Sequence, residues 1–351
     1  MIRFFKLAIL VVVFLLVLGA VENPVRNTSG QIEPYFDPFP ALYFTSQYQE
    51  WILLEGAKPY WAVTELEEQR RLVNQTRPFF LNNDIIAFYG HPLSKNMGIL
   101  GRYEIDELNT LLNAVAAEYN SVNGERGVRK AFYIIYGTVQ PKGAIGYIPD
   151  ALLQEYIRFA LEHNMLIFID HQIGRYDPVD SLKLMLPYLH YPNVHLALDP
   201  EWRTDKPMQR IGSITAEEIN QAQEVMSEYL EKHRLPGERM LVIHQFHHNM
   251  IQDRIDVSAG YKRVTLVHCA DGFGNPALKR NTYAYLAQAK NMPVKGFKLF
   301  YNFNIPGAGY DDPLLTPEEV INLNPRPCVI MYQYFARPLY IVFRSDIQCN
   351  F

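Results

Sequence analysis

Residues 194–202 read VHLALDPEW. A nearly apolar run gives way abruptly to Asp199, Pro200 and Glu201. Such a run predicts a strand that is buried on both faces, as in a parallel sheet. Pro200 lacks a backbone donor at the point where the hydrogen-bond ladder should end. The stretch therefore predicts a buried parallel strand with carboxylates at its carboxyl end.

The same pattern occurs eight times along the chain, at 84–89, 131–136, 166–170, 194–199, 240–244, 264–268, 296–300 and 328–332. Helical patterns lie between most of these runs, at 104–120, 150–163, 179–190, 215–234, 276–290 and 316–322. Thr215 followed by Glu218 predicts a capping box, and Thr316-Pro317 predicts a helix start. Eight strands alternating with helices over about 250 residues predict an α/β fold, a (β/α)8 TIM-like barrel. An open doubly wound sheet usually has a Gly-rich turn after its first strand, and none is seen here.

Composition excludes some classes of protein. The 351 residues include 33 Lys or Arg and 37 Asp or Glu, which gives a net charge of −4. A nucleic-acid-binding surface would show a basic excess, so we expect no nucleic-acid partner. Hydrophobic residues make up 48% of the chain and charged residues 20%, which suits a folded core and not a disordered chain.

The N-terminal segment predicts export. Residues 1–21 combine the basic Arg3 and Lys6, an apolar run at 7–18 and small residues at 19–20. This pattern indicates a signal peptide or an N-terminal membrane anchor. We therefore expect an extracytoplasmic protein, secreted or tethered, that touches the membrane only through this segment. Residues 22–78 are predicted as a linker and N-terminal helical extension, 79–335 as the barrel and 336–351 as an irregular C-terminal tail.

Polar residues follow most of the predicted strands, where a barrel of this kind has its active site. Strand alternation predicts that Asp199 and Glu201 share one face, so that their repulsion raises one pKa and creates a general acid. Paired carboxylates predict a hydrolase of carbohydrate or cell-envelope glycan. We take Glu201 as the acid, and Asp271, Asp170 or Asp199 as the second carboxylate.

Other polar and aromatic residues at the strand ends are candidates for substrate binding. Aromatic rings could stack on sugar faces, and polar side chains could bind hydroxyl groups. The candidates are Tyr89, His91, Gln172, Arg175, Trp202, His244, Gln245, Phe246, His268, Phe273, Lys298 and Tyr301. The expected partner is a carbohydrate or another small molecule, with no cofactor.

Two other functions fit the same residues. The first is a metal-dependent hydrolase with a divalent metal such as zinc, whose candidate ligands are His91, Asp170, Glu201, His244, His268 and Asp271. The usual local ligand spacings, such as His-Glu-x-x-His, are missing. The second is a surface glycan-binding protein without turnover, which would keep the aromatic residues but relax the paired carboxylates. Both kinds of residue are present, which favours an enzyme.

Four motifs carry a family resemblance: YGHP at 89–92, LDPEW at 198–202, HQF at 244–246 and ADGFG at 270–274. With these motifs the chain resembles a family of exported, often lipid-anchored bacterial proteins, common in actinobacteria, whose activity is not established. The resemblance runs over about residues 84–333. It implies an extracytoplasmic barrel and, by fold analogy alone, a glycoside-hydrolase-like superfamily, without catalytic residues to carry over. This chain departs from the family in lacking a lipid-attachment Cys, and residues 336–351 continue past the usual end.

Overall fold

The structure is a computed structural model that describes residues 83–304 and 308–333. The strands in this part are β1 (Asn83–Gly90), β2 (Gly127–Val139), β3 (Ile145–Tyr147), β4 (Leu166–His171), β5 (Val194–Leu198), β6 (Ile214–Thr215), β7 (Arg239–Gln245), β8 (Ile251–Gln252), β9 (Val264–Ala270), β10 (Val294–Phe300) and β11 (Val329–Gln333). The α-helices are α1 (Ile105–Val122), α2 (Asp150–Glu162), α3 (Pro178–Met185), α4 (Ala216–Lys232), α5 (Pro276–Ala287) and α6 (Pro317–Ile321). The predictions for residues 1–21, 22–78 and 336–351 lie outside the described residues.

Eight parallel strands close into a cylinder. Their order around the barrel is β1, β2, β4, β5, β7, β9, β10 and β11, and β11 pairs again with β1. Ile85 illustrates the closure, since it is in register with Arg129 on one side and Val329 on the other. The predicted α/β fold, a (β/α)8 barrel, is confirmed, and each predicted strand overlaps a strand of the cylinder.

Two small additions modify the carboxyl rim of the barrel. Strand β3 pairs antiparallel with the end of β2, and β6 pairs with β8 in a two-stranded parallel sheet. The crossover from β7 to β9 contains short 3-10 turns at His248–Met250 and Arg254–Asp256 in place of an α-helix. This agrees with the sequence, which shows no helical pattern between 244 and 264.

The alternation of strand side chains divides the core into two layers. The inner layer fills the cylinder with residues such as Ala87, Phe168 and Val242. The outer layer, with residues such as Leu196 and Leu241, packs against the helices. Residues of the same parity along a strand therefore lie on the same side of the barrel wall.

Helix starts follow the sequence signals. The Thr215 and Glu218 side chains form the predicted capping box of α4, and Thr316 and Glu319 form one for α6 behind Pro317 at its first turn. These bonds satisfy amides that the first helical turn leaves without partners. None of the helices in the described ranges has the length and apolar character needed to span a membrane.

Candidate active site

Six polar side chains converge inside the barrel at the carboxyl ends of its strands. Each continues the inward parity of its strand: they are Tyr89 on β1, Asp170 on β4, Asp199 after β5, His244 on β7, Asp271 after β9 and Lys298 on β10. All six are at most 4% exposed to solvent. Burial of so many ionisable groups in one place is expensive unless they pair, so their contacts decide their charge states.

A charged chain of contacts links three of these groups. Lys298 Nζ donates to Asp271 Oδ2 at 2.9 Å, and His244 Nδ1 lies 3.1 Å from the same oxygen. The second contact is at ion-pair distance, although the imidazole is not aligned for a linear hydrogen bond. Burial raises the pKa of Asp271, but Lys298 and His244 more than offset this and hold the pKa below its usual value. Asp271 is therefore a fixed carboxylate.

His244 is held as an imidazolium. Burial lowers its pKa, but the contacts with the Asp271 carboxylate and with Cys269 and the charge of Asp170 outweigh burial and raise the pKa well above its usual value. Its Nε2 lies 2.8 Å from the hydroxyl of Tyr133, which accepts the second ring proton. Asp170 Oδ2 is 3.9 Å from the same nitrogen.

Asp170 has one carboxylate oxygen that accepts a hydrogen bond and one that has no hydrogen-bond partner among the described residues. The Tyr89 hydroxyl donates to Asp170 Oδ2 at 2.7 Å, while Oδ1 is buried and accepts no hydrogen bond from the described residues. Burial raises the pKa of Asp170 above its usual value, although His244 and the Tyr89 bond oppose the shift. The ammonium of Lys298 lies 3.8 Å from the centre of the Tyr89 ring, a cation–π contact.

Asp199 has a pKa near neutral pH. Its Oδ1 accepts a hydrogen bond from Glu201 N at 3.2 Å and so caps the 3-10 turn Pro200–Trp202. Its pKa is raised to about 7: burial is the largest cause, the charge of Asp170 also raises the pKa, and His244 opposes the shift. Asp199 can therefore gain or lose a proton near neutral pH.

Glu201 occupies a different position from the one that strand alternation predicts. Strand β5 ends at Leu198, and Glu201 lies in the 3-10 turn Pro200–Trp202. The prediction that pleating places Asp199 and Glu201 on one face is therefore wrong, because Pro200 ends the strand before Glu201. Burial, and not repulsion from Glu201, is the main cause of the raised Asp199 pKa. Glu201 itself is half-buried and follows Asp199 by two residues at the carboxyl rim.

The loop that carries Glu201 is tied to helix α4. Arg203 donates to both carboxylate oxygens of Glu218 at 2.6 Å each, and also to Ser213 O at 3.1 Å. Gly212 N donates to Glu201 O at 2.7 Å, and a methyl group on Gly212 would lie 2.4 Å from Pro200 O. The bidentate pair and this close approach fix the backbone at Glu201.

Gln245 and His268 lie on the outer face of the barrel, which corrects the prediction that they line the site. Their parity is that of outer-layer residues such as Ile243 and Leu266. His268 Nε2 is 2.8 Å from Gln245 Oε1, and Lys295 Nζ is 3.2 Å from His268 Nδ1. Lys295 also donates to the carbonyls of Leu286 and Ala289 at the end of α5. Gln245, His268 and Lys295 therefore form a buried polar column on the outer face of β7, β9 and β10.

The predicted aromatic residues divide between the mouth and the wall. Trp202 is buried in the 3-10 turn, and Phe246 and Phe273 are half-buried in the loops after β7 and β9. Tyr301 stacks on Tyr332, 5.0 Å between ring centres, and packs with the outer layer. Tyr301 therefore packs against the outer layer of the barrel. The prediction that it lines the substrate-binding mouth is wrong.

Three further predicted residues belong to rim loops. His91 is half-buried and its Nδ1 accepts from Leu93 N at 3.1 Å. Gln172 is buried, and its Oε1 accepts from Val139 N at 2.8 Å, which joins the loop after β4 to the end of β2. Arg175 is exposed at the surface of the rim. In the described part of the chain, none of these three forms a hydrogen bond or an ion pair with the six buried side chains.

The alternative set of metal ligands does not assemble. Within residues 83–304 and 308–333, no group of three or more His, Cys, Asp or Glu side chains could hold a metal ion. His268 faces the wall, His91 lies in a turn, and Asp170, His244 and Asp271 are already joined to Tyr89, Tyr133 and Lys298. These residues therefore do not fit a divalent metal.

Sequence reasoning missed Tyr133 and Cys269, which line the interior beside His244. Tyr133 stacks on Phe168, with ring centres 5.0 Å apart, and its hydroxyl reaches His244. A buried tyrosine hydroxyl usually needs a polar partner, and this signal could have identified Tyr133. Burial raises the pKa of Cys269, so it remains a thiol.

Comparison with known proteins adds little beyond the fold. No family model matches the sequence, and no curated protein matches it. One similar solved structure is a chitinase from Chromobacterium violaceum, with 12% identity, a TM-score of 0.35 and coverage of 61% of this chain and 68% of that chain. A second is oxaloacetate acetylhydrolase in complex with oxalate, with 12% identity, a TM-score of 0.38 and coverage of 72% of this chain and 75% of that chain. A third is a family 18 chitinase from Crocus vernus, with 9% identity, a TM-score of 0.40 and coverage of 71% of this chain and 91% of that chain. These likenesses assign no activity to this chain.

Proposed function

We propose that this barrel is an extracytoplasmic hydrolase of carbohydrate or cell-envelope glycan that uses carboxyl groups at its carboxyl rim. One observation carries the proposal: Asp170, Asp199 and Asp271 converge with His244 and Lys298 inside the carboxyl rim, where burial raises the pKa of Asp199 to about 7. Glycoside hydrolysis needs one carboxyl group that donates a proton and a second that is ionised in the reaction. A carboxyl group that titrates near neutral pH can hold that proton within the site and return it to the acid, Glu201, between turnovers.

The contacts suggest a role for each group. Glu201, half-buried at the mouth, donates the proton to the leaving oxygen. Asp170, whose Oδ1 accepts no bond from the described residues, is the second carboxylate. Asp199 holds the exchangeable proton below them, and the fixed Asp271 carboxylate balances Lys298 and His244. Fixed charges in a buried site stabilise developing charge without reorganisation.

Aromatic residues at the mouth of the barrel support the hypothesis of a carbohydrate substrate. Phe246 and Phe273 lie half-buried in loops at the carboxyl rim, where flat aromatic surfaces can pack against sugar rings. Carboxylates beside aromatic rings suit a substrate that has both hydroxyl groups and apolar ring faces. Export, predicted from residues 1–21, would bring such a site to extracellular or envelope glycans.

A glycan panel tests the proposal. Wild type, Glu201→Gln and Asp199→Asn are compared for release of reducing ends from neutral, acidic and peptidoglycan-derived substrates. Glu228→Gln, an exposed position on α4, is the matched control and should retain full activity. We expect each of the two site variants to lose about a hundredfold or more in kcat. Equal turnover by wild type and Glu201→Gln would remove Glu201 from the mechanism, and binding without turnover by wild type would favour a glycan-binding protein.

A further inference from the structure

Two loops at the carboxyl rim contain adjacent residues with left-handed backbone. Lys142 (φ 62°) and Gly143 (φ 72°) follow β2, and Ile173 (φ 59°) and Gly174 (φ 67°) follow β4. Residues other than glycine pay a steric cost in this region, and a β-branched residue such as isoleucine pays most. Strain of this kind persists only where surrounding contacts hold it, and it is concentrated at functional loops.

The contacts that hold this strain join three loops. Arg175 N donates to Gly143 O at 2.9 Å. A methyl group on Gly174 would lie 2.3 Å from Gly143 O, and one on Gly143 would lie 2.4 Å from Thr204 O. The loops after β2, β4 and β5 therefore meet with their backbones in direct contact, next to the strands that supply Asp170 and Asp199.

Three cations flank this junction. Lys142 and Arg175 adjoin it directly, and Lys206 N is bound to the Thr204 hydroxyl at 3.0 Å. All three side chains are exposed, and none has an ion-pair partner in the described part of the chain. The nearby Asp205 already pairs with Arg210 at 2.9 Å. The strained junction thus presents three cations without a counter-charge from residues 83–304 and 308–333.

Exposed aromatic rings lie beside the cations. Tyr147 on β3 is 47% exposed and Tyr176 is 43% exposed, and the two are close enough to influence each other electrostatically. The guanidinium of Arg175 lies 5.6 Å from the centre of the Tyr176 ring. Asp177 follows, but its carboxylate caps α3 and accepts from Val179 N. Cations next to aromatic faces can bind a molecule that has both anionic groups and apolar ring surfaces.

We propose that this basic rim, defined as Lys142, Arg175, Lys206, Tyr147 and Tyr176, binds the anionic groups of an acidic glycan. The inference rests on the proposed function, because it names the substrate class of the same site. The chain as a whole has a net charge of −4, so its overall charge does not attract an anionic polymer. Attraction must be local, and the basic rim supplies it with carboxylate or sulfate groups of the glycan as counter-charges.

Binding is measured with the inactive Glu201→Gln chain, so that turnover does not interfere. The probes are polygalacturonate with its methyl ester, and dextran sulfate with dextran, which separate carboxylate from sulfate as the anion. The variant Lys142→Glu/Arg175→Glu/Lys206→Glu is compared with a control of equal charge change at exposed positions on α2, on α4 and in the turn after α5, Arg158→Glu/Lys232→Glu/Lys290→Glu. We expect the rim variant to bind the preferred acidic probe about tenfold or more weakly, and the control variant to bind as the parent does. Binding by the parent should weaken as salt rises.

The outcomes separate this inference from the proposed function. Equal affinity for an acidic glycan and its neutral counterpart would overturn the inference, as would equal loss in both triple variants. Binding of duplex DNA as tight as that of the acidic glycan would also overturn it, since the rim would then be a general polyanion surface. Turnover of a neutral glycan that the rim variant retains would leave the proposed function intact while the inference fails. Rim-dependent binding of an acidic glycan that the active chain never cleaves would support the inference and refute the hydrolase.

Discussion

Replacing Asp199 with Asn tests the charge state of the buried site through stability, without any substrate. Asn keeps an oxygen that can accept the hydrogen bond from Glu201 N, but it cannot ionise. In the folded protein burial raises the pKa of Asp199 to about 7, whereas the ordinary value is 3.8. Between these two values the unfolded chain has released this proton and the folded chain has kept it. Stability of the wild type must therefore fall as pH rises through this window, and it levels off above about pH 7.

The size of the effect follows from the two pKa values. Each pH unit inside the window costs about 1.4 kcal/mol, so wild type should lose about 3 kcal/mol between pH 5 and pH 8 from this group. In a domain of this size that corresponds to about 5 to 10 °C in Tm. Asp199→Asn lacks this contribution, so its Tm should fall by that much less over the same range.

Thermal unfolding of wild type and Asp199→Asn at pH 5 and pH 8 measures the difference. Asp205→Asn is the control, because Asp205 is exposed in the same loop and its replacement should leave the pH dependence unchanged. If wild type and Asp199→Asn lose the same Tm within about 2 °C, Asp199 is not protonated in the folded protein, and the charge assignment of the site fails.

Three other substitutions probe separate parts of the barrel. Lys298→Met leaves the Asp271 carboxylate buried without its lysine and should lower the free energy of unfolding by about 3–5 kcal/mol, measured by urea denaturation at pH 7; an unchanged value would contradict the ion pair. Arg203→Lys loses the bidentate contact with Glu218 of α4 and should lower kcat about tenfold on a glycan that wild type cleaves. Arg210→Lys, in the same loop, is the control and should leave kcat unchanged. Equal kcat for wild type and Arg203→Lys would show that Arg203 does not position Glu201. Lys295→Met strips the outer polar column of its donors and should destabilise by about 2–4 kcal/mol in thermal melts with kcat unchanged; lost activity at unchanged stability would place Lys295 in the site instead.

The barrel could be predicted from the sequence because each strand carries its own signal. The apolar runs end at polar residues, and the capping boxes at Thr215 and Thr316 mark two helix starts. The irregular crossover after β7 also agrees with the absence of a helical pattern there. Strand order and closure follow from the general geometry of alternating strands and helices, not from any one residue.

The site was harder to predict, because it depends on which side of the wall each residue faces. Asp170, Asp199 and His244 come together as expected from the inward parity of their strands. Gln245 and His268 follow the opposite parity and lie on the outer face, although they are polar residues at strand ends like those of the site. A parity count within each strand would have separated His244 from Gln245. The turn at Glu201 depends on where Pro200 ends the strand, which alternation alone does not show.

The charge balance of the buried site argues that chemistry, and not packing, explains its composition. With Asp170 and Asp271 ionised and with Lys298 and His244 protonated, the group is neutral while Asp199 is protonated and has a charge of −1 once that proton leaves. Buried ion pairs rarely stabilise a fold more than well-packed apolar side chains would, and the inner layer just below is filled with such side chains. A site that becomes negative on losing one proton is suited to a transition state that gains positive charge, such as the oxocarbenium-like state of glycoside hydrolysis. The same proton thus links the pH dependence of stability to the reaction proposed for the site.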